Sequence, residues 1–406
     1  MHVEQLRELG LVRERRALAR CVADPDELER VWGVRHLLSC AASLPGSFDD
    51  LLDLDAVDEL LSRRGLRTPF LRLAKDGTVV DPARYTRSGG VGAEIADQID
   101  DAAVARLFGE GTTIVLQGLH RLWPPLVGFA TQLGVELGHP VQINAYVTPP
   151  SSKGFAAHYD VHDVFVLQLA GDKRWIVHEP VFEAPLRSQP WTQRRSLVEH
   201  AAEKREPLAD VVLRPGDALY LPRGFVHAAE ALGAISAHLT VGIHVVTRMT
   251  VAQALLELAQ EDLELRRSLP LGLDLADAGS LEHHVEETAA ALVESLGSAD
   301  TEAVAWSLRS RVWPSSRPGP LRPLVQASTV AAPELRLRLR PGLRVLLERE
   351  RLVADGRTFA FDADAIAVLR VLLDGEEHVL ESVPGDPNVV LRVAETMLRE
   401  CVVVPL

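Results

Sequence analysis

The feature that most limits what this chain can fold into is a change of pattern at Val141. From there to His244, short apolar stretches follow one another between glycine and proline turns, as in Pro215-Gly216-Asp217, Ala218 to Leu221, then Pro222-Arg223-Gly224. Such a series closes on itself as a barrel, and the double-stranded β-helix is the form that fits. Helical patterns precede it. Glu4 to Cys21 and Asp24 to Leu38 carry spaced leucines and valines among charges, Ser47-Phe48-Asp49-Asp50 reads as the cap of a helix from Asp50 to Arg63, and Gly90 to Phe108 reads as another helix. Thr68 to Leu73 and Thr112 to Leu116 read as strands. Leu122 to Leu137 reads as a buried helix with Pro124 and Pro125 in its first turn.

After Val246 the pattern is helical again, over Val251 to Ser268, Leu281 to Leu296 and Glu302 to Val312. Leu255, Leu258 and Leu265 recur close to a helical stripe, which suits either packing back on the barrel or an isologous dimer. Ser315 to Pro320 is a linker by its turn residues. Beyond it come a strand at Leu335 to Leu339, helices at Asp362 to Leu373 and Pro387 to Glu400, and a strand at Cys401 to Val404. The expected class is α+β: N-terminal helices and the barrel in residues 1–249, a helical region in 250–320 and a further module in 321–406.

Within the barrel stretch, His158-Tyr159-Asp160 supplies an imidazole and a carboxylate at i and i+2, one face of a strand, with Tyr159 pointing the other way. His227 follows the second turn, near a barrel rim, and supplies another imidazole. Two histidines and a carboxylate occupy one face of an octahedron and leave three positions open, a set that suits non-haem Fe(II). His-x-Asp alone is common by chance; the turn, strand and turn ahead of His227 are the independent second feature. Asn144 and Tyr146 share a strand face, and Gln168, His238 and Thr240 face inward by parity, His238 as a supporting group and not a ligand. His162, His178 and His244 read as structural or surface residues. Lys173, within Gly171-Asp172-Lys173-Arg174, reads by itself as an exposed residue of a hairpin turn.

The runs Asn144 to Pro150, Gly154-Phe155-Ala156-Ala157-His158-Tyr159-Asp160 and Val164 to Trp175 resemble the JmjC-domain oxygenases of the cupin superfamily, and among them the ribosomal-oxygenase branch. The similarity is dense from about residue 100 to 247 and fainter beyond. It implies that His158, Asp160 and His227 hold Fe(II), that Lys173 binds the distal carboxylate of 2-oxoglutarate, and that Asn144 and Tyr146 contact co-substrate or substrate. Some relatives carry a serine where this chain has Gly242, so that hydrogen bond is either absent or supplied by Thr240. A tyrosine often found after the Trp175 strand is His178 here. The resemblance further implies a dimerising helical bundle, a winged-helix-like C-terminal module, O2 as co-substrate, and hydroxylation of an arginine or histidine of a protein, a ribosomal protein as best guess. Two other readings stay open: a biosynthetic oxygenase acting on a peptide or small metabolite, and a non-catalytic metal-binding cupin.

Composition sets outer bounds. Of 406 residues 47% are hydrophobic and 25% charged, ordinary for a soluble globular protein. The start, Met1 to Arg7, lacks a secretory pattern and no apolar run is long enough to span a bilayer. Cys21, Cys40 and Cys401 lie far apart, as reduced thiols of a cytoplasmic protein do. A net charge of −14 disfavours broad contact with phosphates, so no direct nucleic-acid binding is expected, and it suits a basic protein partner no better than it suits simple solubility.

Overall fold

The computed structural model describes residues 16–75, 77–92, 94–150, 152 and 156–406. Contacts divide the chain into two compact units: Met1–Val245 with Pro318–Pro320, and Val246–Arg317 with Leu321–Leu406.

The first unit is built on a nine-stranded antiparallel sheet. Its strands are β1 (Leu37–Ser39), β2 (Leu71–Lys75), β3 (Thr78–Val79), β6 (Thr113–Leu116), β7 (Val141–Thr148), β8 (Asp163–His178), β9 (Ala209–Leu213), β10 (Ala218–Leu221) and β11 (Val226–Ile243); β4 (Thr86–Arg87) and β5 (Gln98–Ile99) form a separate pair. The long strands β8 and β11 run antiparallel along their whole length, interrupted by a bulge between Leu232 and Ala237. β7 adds to the second half of β11, β10 to the first half of β8, and β9 to its second half. Gly171 makes the crossing at the bulge possible. Its φ is +58°, and a Cβ there would run into the Ile235 carbonyl.

Strand alternation then sorts the side chains. Ile143, Ala145 and Val147 on β7 and Leu239, Val241 and Ile243 on β11 join the apolar core with Leu126, Phe129 and Leu133 of the helix Pro124–Leu137. The alternate residues, Gln142, Asn144, Tyr146 and Thr148 opposite Gly242, Thr240, His238 and Ser236, take the other face. All of them except Gly242 and Ser236 line a cavity of about 220 Å³ inside the barrel.

Several N-terminal expectations need correction. Of Glu4 to Cys21, Leu18–Cys21 is helical, and residues 4–15 lie outside the described residues, as do Gly154 and Phe155. Asp24 to Leu38 is not one helix. It runs from Pro25 to Val31, capped by the Asp24 carboxylate, and stops at Gly33, where φ is +69°. Leu37–Ser39 instead pairs with Ala218–Tyr220, because the edge of β10 offers backbone partners that outweigh local helix propensity. The next helix begins at Leu54, not Asp50, since Asp53 and not Ser47 accepts the Ala56 N–H at 2.7 Å. Gly90 to Phe108 is helical only over Asp101–Gly109; Gly90 and Gly92 have positive φ, and Gln98–Ile99 is strand.

The second unit holds helices Arg248–Ala259, Leu263–Arg266, Ala278–Gly297 and Thr301–Val312, followed by two small sheets and the helices Ala363–Leu372 and Pro387–Arg399. Its core is C-terminal, around Leu337, Ile366, Leu369, Val393, Met397 and Val403. Leu255, Leu258 and Leu265 are half-buried.

Candidate active site

The two halves of the triad are joined by backbone. His158 N–H donates to His227 O at 3.1 Å and His227 N–H donates to His158 O at 2.8 Å, a single antiparallel bridge in an otherwise irregular segment. That one bridge does what a strand was expected to do. Tyr159 points away, 1% exposed, and its hydroxyl donates to Gln189 O at 3.0 Å. Gly224 N–H donates to Asp160 O at 3.0 Å, tying the turn ahead of His227 to the loop that carries the carboxylate. Gly224 has φ +90°, and a Cβ there would meet Phe182 O at 2.7 Å, so this turn has no room for a side chain.

One ligand atom from each of His158, Asp160 and His227 lies within 4.8 Å of the others. His158 Nδ1 is 2.8 Å from Ala156 O, and His227 Nδ1 is 3.0 Å from Phe225 O. A carbonyl accepts only, so both Nδ1 atoms carry the proton and the Nε2 atoms are the lone-pair donors, the arrangement of metal-bound histidines. His227 Nε2 is 3.7 Å from Asp160 Oδ2. This donor set fits Fe(II). Burial, then the neighbouring His158, push the His227 pKa down to about 4, keeping it a neutral ligand. Burial works against the Asp160 carboxylate, but His162, His158, His227 and Arg72 together outweigh it and hold its pKa below the usual carboxylate range.

Lys173 is not in a turn. β8 continues through it, and the side chain is turned inward, 3% exposed, while its neighbour Arg174 points out and pairs with Asp210. Its Nζ is 3.2 Å from Thr148 Oγ1 and 3.4 Å from His238 Nδ1. Among the described residues no carboxylate pairs with it. Burial lowers its pKa to about 7, and burial together with Lys173 pushes His238 well below its usual value. A buried ammonium with only neutral partners is suited to receive an anion.

The other expected residues are brought to the same cavity. Tyr146 stacks on His238, ring centroids 5.1 Å apart, and burial raises its pKa. Asn144 Oδ1 accepts the Gly118 N–H at 3.1 Å, and Thr240 sits opposite Asn144. Gln168 does not reach it: its amide is spent on Ala170 O, Gly171 O and Ser236 Oγ at the bulge. Several lining residues carry no site assignment in the sequence analysis, among them Thr113, Gln117, Gln142, Thr148 and Arg72. Gln142 and Thr148 follow by alternation from Asn144 and Tyr146, whereas Arg72 comes from β2 with no local signal. His162, read as structural, also lines the cavity.

Residues 131–251 match the JmjC domain family. That match takes in strands β7 to β11, and with them the triad and Lys173. Around it, the chain is 36% identical over 206 residues to Ribosomal oxygenase 1 of Rattus norvegicus, covering 48% of this chain and 33% of that protein. The Gallus gallus protein of that name is 31% identical over 256 residues, covering 61% and 41%. The matches thus span less than half the length of these relatives. Among solved structures, E. coli ycfD matches with a TM-score of 0.58 at 17% identity over 94% of this chain and 98% of its own. YcfD has also been solved as a ribosomal oxygenase in complex with cobalt and 2-oxoglutarate. The likeness establishes the fold of the JmjC domain and its flanks.

Proposed function

We propose that this chain is an Fe(II)- and 2-oxoglutarate-dependent oxygenase that hydroxylates an amino-acid residue of a protein, a ribosomal protein first of all. The observation that carries the reading is one cavity lined by two imidazoles and a carboxylate in ligand range of each other and by a buried lysine with no acidic partner. The names of the relatives and the YcfD complex support it.

When bound, iron and 2-oxoglutarate supply the oxidation: one atom of O2 enters a C–H bond as hydroxyl, the other ends in succinate, and CO2 is released. The chain does the placing. His158, Asp160 and His227 hold the metal. Lys173 and the Thr148 hydroxyl hold the distal carboxylate of the co-substrate. The Tyr146–His238 stack and Asn144, tied to Gly118, wall the cavity, and Thr240 is the nearer candidate for the hydrogen bond that position 242 does not provide.

Among the described residues no helix is long and apolar enough to cross a membrane. We place the protein in the cytoplasm, where its three free thiols persist. The helical region 250–320 is assigned to a homodimer contact, and 321–406 to a separate winged-helix-like module. Helix Ala278–Gly297 has no buried residue and exposes Val285 and Val293, so the contact is assigned to it in place of the half-buried Leu255, Leu258 and Leu265. The test is incubation of the iron-loaded chain with 2-oxoglutarate and a ribosomal-protein fraction. A 2-oxoglutarate-dependent gain of one oxygen on a ribosomal peptide is expected; oxidation confined to small molecules would contradict the protein-substrate reading.

A further inference from the structure

Three residues past the ligand Asp160, β8 opens with a second carboxylate, Asp163, which is fully buried and does not line the cavity. A buried carboxylate has to be paired, and this one is. The Tyr220 hydroxyl donates to its Oδ2 at 2.6 Å, and the backbone N–H and Nη1 of Arg223 donate to its Oδ1 at 3.1 and 3.3 Å. Burial, then the Asp163 charge, raise the Tyr220 pKa, so the phenol keeps its proton and serves as the donor.

Both partners belong to the stretch that leads into His227. Consecutive N–H groups of the turn, those of Arg223 and Gly224, go to the Asp163 side chain and to the Asp160 carbonyl. With the His158–His227 bridge, residues 158–163 and 220–227 are thus tied at three levels, and two of the ties flank the ligand carboxylate. Tyr220 is itself fixed from its other side. The Gly33 N–H donates to its hydroxyl at 2.9 Å, and the Trp32 ring stacks on both Tyr220 and His139, with centroids 5.4 and 5.8 Å apart. Stability is a poor reason for such a cluster, because apolar side chains in place of a buried ion pair are often as stable or more so. What an ionic, hydrogen-bonded cluster supplies and apolar packing does not is a fixed direction for each group.

Resting on the function proposed above, we infer that Asp163 is a positioning residue for the metal site: through Arg223 and Tyr220 it holds the turn before His227 against the segment that carries Asp160, and so sets the placement of two of the three ligands. The Trp32–Gly33 segment steadies Tyr220 in that task.

The experiment uses the full chain, with Mn(II) affinity by calorimetry and the visible absorption of bound Co(II). Asp163→Asn keeps the size of the side chain but removes the charge beside Arg223 and the second acceptor, so Mn(II) affinity should fall about tenfold, as for outer partners of metal ligands. Tyr220→Phe deletes one neutral hydrogen bond and should cost about threefold; it carries the test where Asp163→Asn is too unstable to purify. At saturating Co(II) both variants should give a spectrum altered from that of the wild type. Leu133→Ala, which opens the apolar core of the same unit, should lose urea stability yet keep the wild-type affinity and spectrum. Affinity within about twofold of wild type and an unmoved spectrum in the folded variants overturn the inference and leave the metal reading standing. Equal losses of affinity in Leu133→Ala overturn it as well, reducing Asp163 to general stability. A wild-type chain that binds no Mn(II) overturns the proposed function along with it.

Discussion

Strand β11 and helix Ala278–Gly297 are of similar length, 18 and 20 residues, and the fold treats them in opposite ways. β11 is paired on both edges, by β8 and β7, with Leu239, Val241 and Ile243 fully buried on one face and His238 and Thr240 on the cavity side of the other. The helix buries none of its residues, and Val285 and Val293 are 62% and 70% exposed. The half of β11 paired on both edges, Ser236 to Ile243, therefore answers to the apolar core or the cavity of its own unit, while Leu232 to Ile235 at the bulge are exposed. Leu281, Leu292 and Leu296 of the helix are half-buried, whereas Val285 and Val293 face solvent, and it is on those two valines that the proposed dimer contact rests.

The largest effect should come from the cavity side of that contrast. His158→Ala or Asp160→Ala removes a ligand outright, so Mn(II) affinity measured by calorimetry should fall by more than about a hundredfold, with circular dichroism unchanged. Retained affinity in both variants would mean that the inward face of the barrel is ordinary packing.

Next comes Lys173. Lys173→Ala removes one charge-assisted pair worth about 1.5 to 3 kcal/mol, so the Kd for 2-oxoglutarate should rise ten- to hundredfold with metal affinity little changed. A pH series sharpens this. Burial holds the Lys173 pKa near 7, and a carboxylate needs the charged form, so wild-type affinity should weaken as pH rises through about 7 while that of Lys173→Ala stays flat. For folding the sign is opposite. Between about 7 and the ordinary 10.5 the unfolded chain binds the proton and the folded one does not, so this group's contribution to stability rises with pH across that window.

The smallest effects compare the two elements directly. Leu239→Ala should cost about 2 to 5 kcal/mol in urea unfolding, as for a fully buried leucine. Val285→Glu with Val293→Glu should change monomer stability by no more than about 0.5 kcal/mol each, yet convert a dimer to a monomer in light scattering. A wild-type chain already monomeric at micromolar concentration would remove the contrast.

How much of this could be read from sequence differs by residue. The triad was legible because turn, strand and turn set His227 as local chemistry does, and His158-x-Asp160 is short enough to act within one bridge. The position of Lys173 was not, because Gly171-Asp172 carries the residues of a hairpin turn. What keeps β8 extended there is the bulge of β11 around Ile235, a long-range contact. Arg72 was illegible for the same reason, arriving from β2 through pairing with β6. The place of His162 in the cavity lining was hidden because it occupies room that a side chain at Gly242 would need. At the N-terminus Leu37 and Leu38 fit a helical spacing as well as a strand, and only the free edge of β10 decides between them.

The most direct test is a calorimetric titration of 2-oxoglutarate into the full chain, with and without Mn(II), in the wild type and in His227→Ala. A JmjC domain whose triad holds the metal against which the co-substrate is placed predicts saturable 1:1 binding that requires Mn(II) and disappears in His227→Ala. Binding of equal strength without metal and in the variant, or no binding by the metal-loaded wild type, would contradict the account.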